Sequence, residues 1–445
     1  MTQTPITLKD GLILRAATPD DVSALAEFNA RIHGGGPDNP PEDAAMLRQW
    51  VHDLADGSHP TCDASLFTLV EDPAADGKIV SSMCVIPQTW RYDGVPFAMA
   101  RPELVGTDKD YRNRGLVRAQ FDWHHTWCAQ NDIDVQGITG IPYYYRLFGY
   151  EYALNLQGYR KGTAGTLPLK SEEPEPCRFR PADAGDIPFL LELDRLSAKR
   201  NLISVAREAD LWRYELSGMH PDNINHRTMV IITNKVGERL GFYSYATPLW
   251  RTSMAVLHLE FKPGMNSAQL MPSVLRDAWQ RGESIAKRTN KECSALLLAL
   301  GETHPAYDLC RGWCRVEGKP YAWYLRVADL PVFLQTIAPA LEKHLSASLF
   351  AGYSGAFRIN FYKGGLKITF EDGKMVGVND WRASDEEGAD VNIPNPLFLQ
   401  VLFGYRTLEE VHHIFPDAYD KDAQNAELLK ALFPKVINEW IWTLS

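Results

Sequence analysis

The sequence has no long apolar run and few cysteines for its length of 445 residues. No stretch of about 18 apolar residues occurs, and the first residues lack an apolar core flanked by basic side chains, so we expect neither a membrane span nor a signal peptide. The seven cysteines are odd in number and scattered, and Cys310 and Cys314 have no second pair at metal-ligand spacing. We therefore expect reduced, mostly buried cysteines in a cytoplasmic protein that holds no metal.

The sequence also has fewer basic than acidic residues. The chain has 46 Lys and Arg against 56 Asp and Glu, a net charge of −10. Nucleic acid is therefore a poor partner, whereas a cationic or amine-bearing small molecule would be attracted. Hydrophobic residues make up 45% and charged residues 23%, which is typical of a folded chain, and the length predicts about two to four domains.

A stretch rich in glycine, proline and charge at residues 162–176 resembles a linker. The segments on either side of it open alike, because five residue types recur after 165 positions: Arg15, Ala17, Asp21, Leu25 and Glu27 are matched by Arg180, Ala182, Asp186, Leu190 and Glu192. The repeat predicts a duplicated α/β domain. The alternative is two unrelated domains that share a strand–loop–helix opening.

The last segment has a different pattern. Residues 357–361 and 366–370 alternate between apolar and polar, and a turn at 371–374 leads into a third short run at 375–378. This pattern predicts an antiparallel meander. Helical runs at 330–349, 396–403 and 427–433 flank it, so we expect an α+β domain.

One window carries a candidate binding element. A predicted strand at 103–107 leads through the basic turn 112–118 into a helical pattern that begins after Gly115. Such a turn presents free backbone N–H groups and the positive end of a helix, which suits a pyrophosphate. Gly115 permits close backbone approach, and Arg112, Arg114 and Arg118 add charge. The alternative is a solvated basic helix start.

A second element follows. Residues 135–141 read as a strand, and Tyr143, Tyr144 and Tyr145 come directly after it. The R-x-x-G turn that ends at Gly115, followed by the Tyr-x-x-x-Gly-aromatic element that begins at Tyr145, resembles the GCN5-related N-acetyltransferases. That resemblance implies acetyl-CoA as cosubstrate and Tyr145 as the acid that protonates the departing CoA thiolate. Only spacing distinguishes Tyr145 from its neighbours Tyr143 and Tyr144, and the alternative for each tyrosine is an aromatic wall residue whose hydroxyl is merely hydrogen-bonded. Val117 departs from the family pattern, which has glycine or alanine there.

The wider layout resembles the Eis-type (enhanced intracellular survival) acetyltransferases over essentially the whole chain. This resemblance implies a catalytic acetyltransferase domain at residues 1–161, a degenerate copy at 162–325 and a sterol-carrier-like domain at 326–445. In fold class the chain is then α/β and α+β. Residues 262–267 of the second copy lack an R-x-x-G turn, so no second CoA site is expected.

The resemblance also implies individual contacts with the coenzyme. The residues concerned are Val105, Gly106 and Thr107 for the pantetheine arm, Asn113, Arg114, Gly115, Leu116, Val117 and Arg118 for the pyrophosphate, and Gly140 and Ile141 for the wall of the cleft. Most of these contacts are made by the main chain.

The base is less evident from the sequence. In Eis-type proteins the carboxylate of the last residue enters the active site, and here the chain ends in an apolar, aromatic run from Trp440 to Ser445. Burial would raise the pKa of that carboxylate, so we expect the Ser445 carboxylate to act as the base or to anchor the amine. The alternative is a terminal strand that only packs.

The sequence gives little information about the molecule that accepts the acetyl group. In the glycine-rich loop 33–42, Asp38 or Glu42 could hold an ammonium, or the loop is simply solvated. The leading hypothesis is N-acetylation of a primary amine on a small polycationic molecule such as an aminoglycoside. The alternatives are a protein-lysine or other amine acetyltransferase and a non-catalytic lipid- or ligand-binding protein. The Eis-type resemblance also implies a homo-oligomer, in that family often a hexamer.

Overall fold

The computed structural model describes residues 4–34, 41–384 and 387–439. Within these ranges no helix has both the length and the apolar character needed to span a membrane. All seven cysteines are free thiols, and six of them are buried, with Cys293 partly exposed.

The helices and strands follow one another in three stretches of chain. The first contains strands β1 (Ile6–Thr7), β2 (Ile13–Ala16), β3 (Phe67–Asp72), β4 (Lys78–Tyr92), β5 (Val95–Thr107), β6 (Val135–Ile138), β7 (Glu151–Leu156) and β8 (Tyr159–Gly162), with helices α1 (Val22–His33), α2 (Pro41–Ala55) and α3 (Leu116–Gln130). The second contains β9 (Arg178–Pro181), β10 (Ile203–Val205), β11 (Arg227–Thr233), β12 (Arg239–Ala246), β13 (Ser253–Phe261), β14 (Ala295–Leu298), β15 (Val316–Gly318) and β16 (Tyr321–Val327), with α4 (Ile187–Ala198), α5 (Ala209–Arg213), α6 (Ser267–Thr289) and α7 (Pro305–Cys310). The third contains β17 (Gly355–Asn360), β18 (Gly365–Glu371), β19 (Lys374–Asp380), β20 (Val391–Asn392) and β21 (Tyr419–Asp420), with α8 (Leu330–Thr336), α9 (Ala338–Ser346), α10 (Asn395–Leu402), α11 (Leu408–Ile414) and α12 (Ala423–Leu432).

These strands form three sheets across the described part of the chain. The first has the order β1-β2-β3-β4-β5-β6-β16-β7, and β10 pairs with β4 beside it. The second has the order β15-β8-β14-β13-β12-β11-β9, and the third has the order β19-β18-β17-β20-β21. Helices pack on mixed sheets in the first two, and the third is a meander with flanking helices. The α/β and α+β fold class expected from the sequence is confirmed.

Besides β10, which pairs with β4 of the first sheet, two strands are inserted into a sheet made mostly of strands from another stretch of the chain. β16 inserts between β6 and β7 of the first sheet and is antiparallel to both. β8 inserts between β14 and β15 of the second sheet. The division of the chain at residues 161 and 325 stays a prediction. β8, from the first stretch of the chain, belongs to the second sheet, and β16, from the second stretch, belongs to the first sheet.

The predicted repeat corresponds to one local structure that occurs twice. At the start of α1 the guanidinium of Arg15 donates to Asp21 (2.7 Å), whose carboxylate also accepts from the Thr18 backbone. At the start of α4, Arg180 donates to Asp186 (2.6 Å) in the same way. The paired residues in each copy therefore fix the angle at which the strand enters the helix.

The third sheet buries its apolar side as alternation predicts. In β17 the side chains of Phe357 and Ile359 are buried, and that of Arg358 between them is partly exposed. This sheet, α8 and α9 share a core with the first sheet, where the rings of Phe97 and Phe333 lie 5.3 Å apart. The helical run expected at 330–349 is instead two helices that meet at Ile337, because Pro339 in the first turn of α9 has no N–H to continue α8.

The strands β5 and β6 part in a way that positions a cleft. They pair in parallel at Met99–Val135 and Ala100–Gln136. Further along β5 the register with β4 shifts, and Leu104 takes a positive φ of 53° inside the strand. This bulge turns the end of β5 away from the end of β6. The gap between the two strand ends opens beside the start of α3.

Candidate active site

The turn before α3 forms one wall of the cleft. Asn113 (φ 62°) and Gly115 (φ 78°) are both left-handed, and Gly115 directly precedes the 15-residue helix. A Cβ on Gly115 would meet nothing within 4 Å, so the backbone angle and not crowding favours glycine there. The N–H groups of Leu116 to Arg118 have no partners in the preceding turn of α3. They and the positive helix end suit an anionic diphosphate.

The cleft has a volume of about 910 Å³. It is lined by most of the residues that the sequence assigned to coenzyme binding, namely Val105, Gly106, Thr107, Asn113, Gly115, Leu116, Val117, Arg118, Gly140 and Ile141, and also by Tyr145. A cavity of this size takes a ligand as large as a drug molecule or a nucleotide cofactor. The structure therefore brings the predicted turn and the predicted acid to a single site.

Arg114 is the exception among the predicted coenzyme contacts, because it is not among the residues that line the cleft. Its guanidinium lies over the ring of Tyr111 (4.8 Å) and donates to the Asp110 carbonyl (3.3 Å). Arg114 stands between the left-handed residues Asn113 and Gly115, and its side chain lies back along the turn. The exposed Arg118 instead lies over Phe148 (4.9 Å) at the opposite wall.

Tyr145 lies in the short helical turn Tyr144–Phe148 and is 3% exposed. Its ring packs against Phe121 (6.0 Å between centroids) and Tyr324 (5.4 Å). Its hydroxyl lies 3.9 Å from the point where a Cβ on Gly140 would stand. Burial, with a smaller effect of the Glu103 charge, raises the pKa of Tyr145 well above 10. The phenol is thus protonated at neutral pH and able to donate a proton.

The exchanged strand β16 contributes directly to this wall. The Tyr324 hydroxyl donates to the Ile141 carbonyl (3.4 Å) and bonds to the hydroxyl of Tyr152. Tyr152 in turn accepts from the Tyr143 backbone N–H (3.3 Å). Local sequence contains no signal for this contact, because Tyr324 lies far along the chain from the residues it supports.

A buried polar network fastens α3 to the sheet beneath the cleft. The Ser81 hydroxyl donates to Gln120 Oε1 (2.8 Å) and shares a hydrogen bond with the Thr107 hydroxyl (2.8 Å). Gln120 donates to Thr68 (3.2 Å), whose hydroxyl also bonds to His124 Nε2 (3.0 Å). Burial lowers the pKa of His124 to about 4, so it is neutral and structural. The network fixes the start of α3 relative to the end of β5.

The first two helices and β5 form a further part of the cleft lining, beside Gly106. Ile32 and His33 of α1, Leu47 and Trp50 of α2, and Glu103 of β5 belong to this part. Glu103 accepts from the buried Arg101 (2.6 Å) and is half-buried. Burial lowers the pKa of His33, against the opposing effect of the Glu103 charge, so this part of the lining presents a neutral imidazole and a carboxylate.

Sequence reasoning missed Glu103 and Trp50. Glu103 is the one charged residue of the predicted strand 103–107, which was an available signal for a functional group. Trp50 gave no such signal, since a tryptophan on an amphipathic helix is usually part of the core.

Two further predictions concern the acceptor side and the chain end. Asp38 and Ser445 lie outside the described residues. Glu42 forms an ion pair with Lys291 (2.6 Å). Its carboxylate is therefore paired with a residue from the second stretch of the chain, which we call the second unit.

Glu439, the last described residue, lies in a half-buried cluster with Glu260 and His304 whose geometry could accommodate a metal ion. Arg200 forms ion pairs with both carboxylates of this cluster. The pairs tie the end of the described chain to the second unit.

The second sheet differs from the first at the corresponding junction. β13 and β14 pair over four positions, from Ser253–Ala295 to Val256–Leu298, and a further backbone bond joins Ala299 to Val256. The side chain of Asn266 accepts from the Gln269 N–H (3.3 Å) at the start of α6. The strands therefore stay together for longer, and this helix end is capped by its own residue.

Comparison with known proteins agrees with this geometry. Residues 15–153 match the model of the acetyltransferase (GNAT) domain family. No curated protein is significantly similar in sequence to the chain.

Three solved structures share the fold over nearly the whole chain. A probable N-acyltransferase of unknown function from Enterococcus faecalis is 13% identical, with a TM-score of 0.64, over 97% of this chain and 99% of its own. A GCN5-related N-acetyltransferase from Anabaena variabilis is 13% identical with a TM-score of 0.62, over 97% and 99%. Eis1 from Mycobacterium abscessus is 13% identical with a TM-score of 0.60, also over 97% and 99%.

The matched family region contains the turn at Gly115, the parted strands and Tyr145. At 13% identity the solved structures establish a shared, Eis-like fold, whereas the family match covers the site itself. A GNAT domain uses acetyl-CoA as its cosubstrate. The chain thus contains a GNAT acetyltransferase domain in its first part and is an N-acetyltransferase.

Proposed function

We propose that this enzyme transfers an acetyl group from acetyl-CoA to a primary amine of a small polycationic acceptor, of which aminoglycosides are an example. The observation that carries the proposal is the single cleft in which the turn at Gly115 and the phenol of Tyr145 face one ligand volume. The net charge of −10 and the Glu103 carboxylate in the cleft lining favour a cationic acceptor.

The residues of the cleft fit acetyl-CoA at both ends of that molecule. The left-handed Gly115 leaves the first N–H groups of α3 accessible to the diphosphate, and the exposed Arg118 adds positive charge beside them. The backbone of Val105 to Thr107 lines the cleft at the end of β5 that no longer pairs with β6, so its free backbone groups can bind the pantetheine amides. Acetyl-CoA supplies the activated thioester.

Tyr145 holds a proton at its hydroxyl and is placed to donate it to the leaving thiolate sulfur. The acceptor amine must be neutral to attack, although its ordinary pKa is about 10. A base must therefore take a proton from the ammonium. We assign this role, or that of an anchor for the amine, to the carboxylate of Ser445 on the strength of the Eis-type resemblance, with Glu103 drawing the ammonium into the cleft.

The second unit is proposed to be a degenerate acetyltransferase copy and the third a sterol-carrier-like domain. The longer pairing of β13 with β14 and the Asn266 cap on α6 support the first assignment, because both features close the positions that are open in the first unit.

The test is release of free CoA from acetyl-CoA by the purified protein, measured with a thiol reagent across a panel of amines. The panel contains an aminoglycoside, an alkyl polyamine and a lysine peptide. We expect the fastest release with the aminoglycoside. Fastest release with the peptide would favour a protein-lysine acetyltransferase. No release with any amine, together with no CoA binding by calorimetry, would favour the lipid- or ligand-binding alternative.

A further inference from the structure

The helix α2 belongs to the first unit and lines the cleft, but the second unit contacts it near both ends. Leu47 and Trp50, in the middle of α2, are the residues that line the cleft. Near the start of the helix, Glu42 pairs with Lys291 (2.6 Å). Near its end, the Asp53 carboxylate binds a loop of the second unit. Because the Glu42 pair is partly exposed and such pairs contribute little, the buried contact of Asp53 is the stronger of the two.

The contact at the end of α2 is buried and made by several hydrogen bonds. Asp53 is 4% exposed and Asn223 is fully buried. One oxygen of Asp53 accepts from the side-chain amide of Asn223 (2.7 Å) and from the backbone N–H of His220 (3.0 Å). The other oxygen accepts from Gln49 within α2 (2.7 Å). Removing a donor from a buried carboxylate is unfavourable, because water cannot replace the lost hydrogen bond. The contact therefore holds α2 at a fixed distance from residues 220–223 of the second unit.

Apolar packing connects this contact to the cleft. Asp53 follows Trp50 by three residues, so the two side chains lie on the same side of α2, one turn apart. Ile224, which is next to Asn223, packs against the core cluster that contains Leu47 and Trp50. Close-packed side chains move together. A shift of residues 223–224 would therefore be transmitted to the part of α2 that lines the cleft.

We propose that the second unit positions α2 through the contact of Asn223 with Asp53, and that this contact sets the width of the cleft where the amine binds. The proposal rests on the function proposed above, in which Glu103 draws the ammonium into this part of the cleft. Neither Asn223 nor Asp53 is among the residues that line the cleft. Both are thus positioning residues that act through Leu47 and Trp50. The second unit, which has no R-x-x-G turn of its own at residues 262–267, thereby takes part in acceptor binding.

The main test variant is Asn223→Asp, which places a second carboxylate beside Asp53. Two ionised carboxylates only accept hydrogen bonds, so the variant should displace α2 in most molecules. The apparent affinity for the amine falls with the fraction of molecules that can still bind it. We therefore expect KM for the aminoglycoside kanamycin to rise about tenfold, the factor that one hydrogen bond to a charged group is worth. Asn223→Ala, which removes the donor without adding charge, should raise KM about threefold.

The other kinetic constants should change little in Asn223→Asp. Bound amine selects the molecules in which α2 is in place, so kcat at saturating kanamycin should stay within about twofold. The predicted coenzyme contacts belong to β5, the start of α3 and the end of β6, so the Kd for acetyl-CoA in calorimetry should also stay within about twofold. A change in KM without a change in kcat is not expected from a general loss of stability.

Two further measurements keep the test independent of simple misfolding. The reciprocal swap, Asp53→Asn together with Asn223→Asp, restores one donor and one acceptor at the contact. It should bring KM for kanamycin back to within about threefold of wild type, and recovery stays incomplete because the His220 N–H loses its acceptor. Hydrogen exchange followed by mass spectrometry needs no substrate. In Asn223→Asp the amides of α2 should exchange faster, whereas those of α3 should exchange as in wild type.

Glu175→Gln is the matched control. The Glu175 carboxylate accepts from Arg276 (2.6 Å) and Ser273 (2.5 Å), both on α6, in a contact of the second unit that does not involve α2. We expect this variant to lower Tm while KM for kanamycin and exchange in α2 stay as in wild type.

Three outcomes would overturn the proposal. One is a lower Tm of Asn223→Asp with unchanged KM for kanamycin, which would make the contact merely structural. Another is equal loss of affinity for kanamycin and acetyl-CoA, and the third is a swap variant no better than Asn223→Asp alone.

Failure of the proposed function gives a different result. If another amine of the panel reacts faster than kanamycin, KM is measured with that amine. A protein that acetylates no amine refutes the proposed function, and exchange in α2 still decides whether the second unit holds this helix. An active enzyme whose KM is indifferent to Asn223→Asp refutes this inference alone.

Discussion

Replacing Tyr145 with phenylalanine removes one oxygen and leaves the ring that packs between Phe121 and Tyr324. Because the ring contacts remain, the free energy of unfolding should fall by no more than about 1 kcal/mol. The coenzyme contacts are mostly main chain and lie elsewhere in the cleft, so affinity for acetyl-CoA should stay within about twofold.

The effect on turnover should be far larger. A positioned general acid typically contributes 10²–10⁴-fold, so we expect Tyr145→Phe to lower kcat by about a hundredfold or more, equivalent to about 2.7 kcal/mol in the activation barrier. Initial rates of thiol release under saturating acetyl-CoA measure kcat, and calorimetry measures coenzyme affinity. The raised pKa of the phenol also predicts how the activity depends on pH. Tyr145 keeps its proton through pH 10, so its ionisation should not reduce wild-type activity below that pH.

Tyr150→Phe is the control for this experiment. Tyr150 belongs to the same aromatic cluster, but its hydroxyl bonds to His125 (3.0 Å) and it does not line the cleft. We expect near-normal kcat from this variant. Unchanged turnover in Tyr145→Phe would remove the phenol from the reaction, and equal losses in both variants would show a packing effect instead.

Three other perturbations test separate parts of the site and fold. Gly115→Ala should cost about 1 kcal/mol of backbone strain and raise the Kd for acetyl-CoA several-fold in calorimetry, while Gly165→Ala, with open space and no positive φ, should change neither. The hydrogen bond from Arg15 lowers the pKa of Asp21 from 3.8 to about 2. The ion pair therefore stabilises the fold above pH 4, and this stabilisation is lost as the pH falls from 4 to 2. Asp21→Asn should lower Tm at pH 7, and the Tm values of variant and wild type should converge near pH 2. A short tag after Ser445 should reduce kcat at least about tenfold without altering Tm, and full activity of the tagged protein would eliminate the terminal carboxylate.

The parts of the site that sequence predicted are those encoded within a few residues. The strand, the left-handed Gly115 and the helix after it are adjacent in the chain, so local propensity and the R-x-x-G pattern placed them together. The side-chain direction of Arg114 depends on the backbone angles of its neighbours, and a motif does not specify those. The break at Ile337 was likewise decided by one proline within an otherwise helical pattern.

The remaining parts depend on pairing between distant segments. Tyr324 reaches the wall behind Tyr145 because β16 leaves the second unit and enters the first sheet, and periodicity within either segment contains no information on that choice. Trp50 and Glu103 belong to α2 and β5, which are separated by the whole of β4, so their convergence was visible only in three dimensions.

The position of β16 bears on how this protein can be dissected or shortened. A fragment that stops at the linker after residue 161 would leave β6 and β7 with bare edges and would remove Tyr324 from behind the phenol. The opposite fragment would lose β8 and split its own sheet between β14 and β15. A truncated version with only the GNAT region should therefore aggregate, and the segment that follows it cannot be deleted without exposing the first sheet.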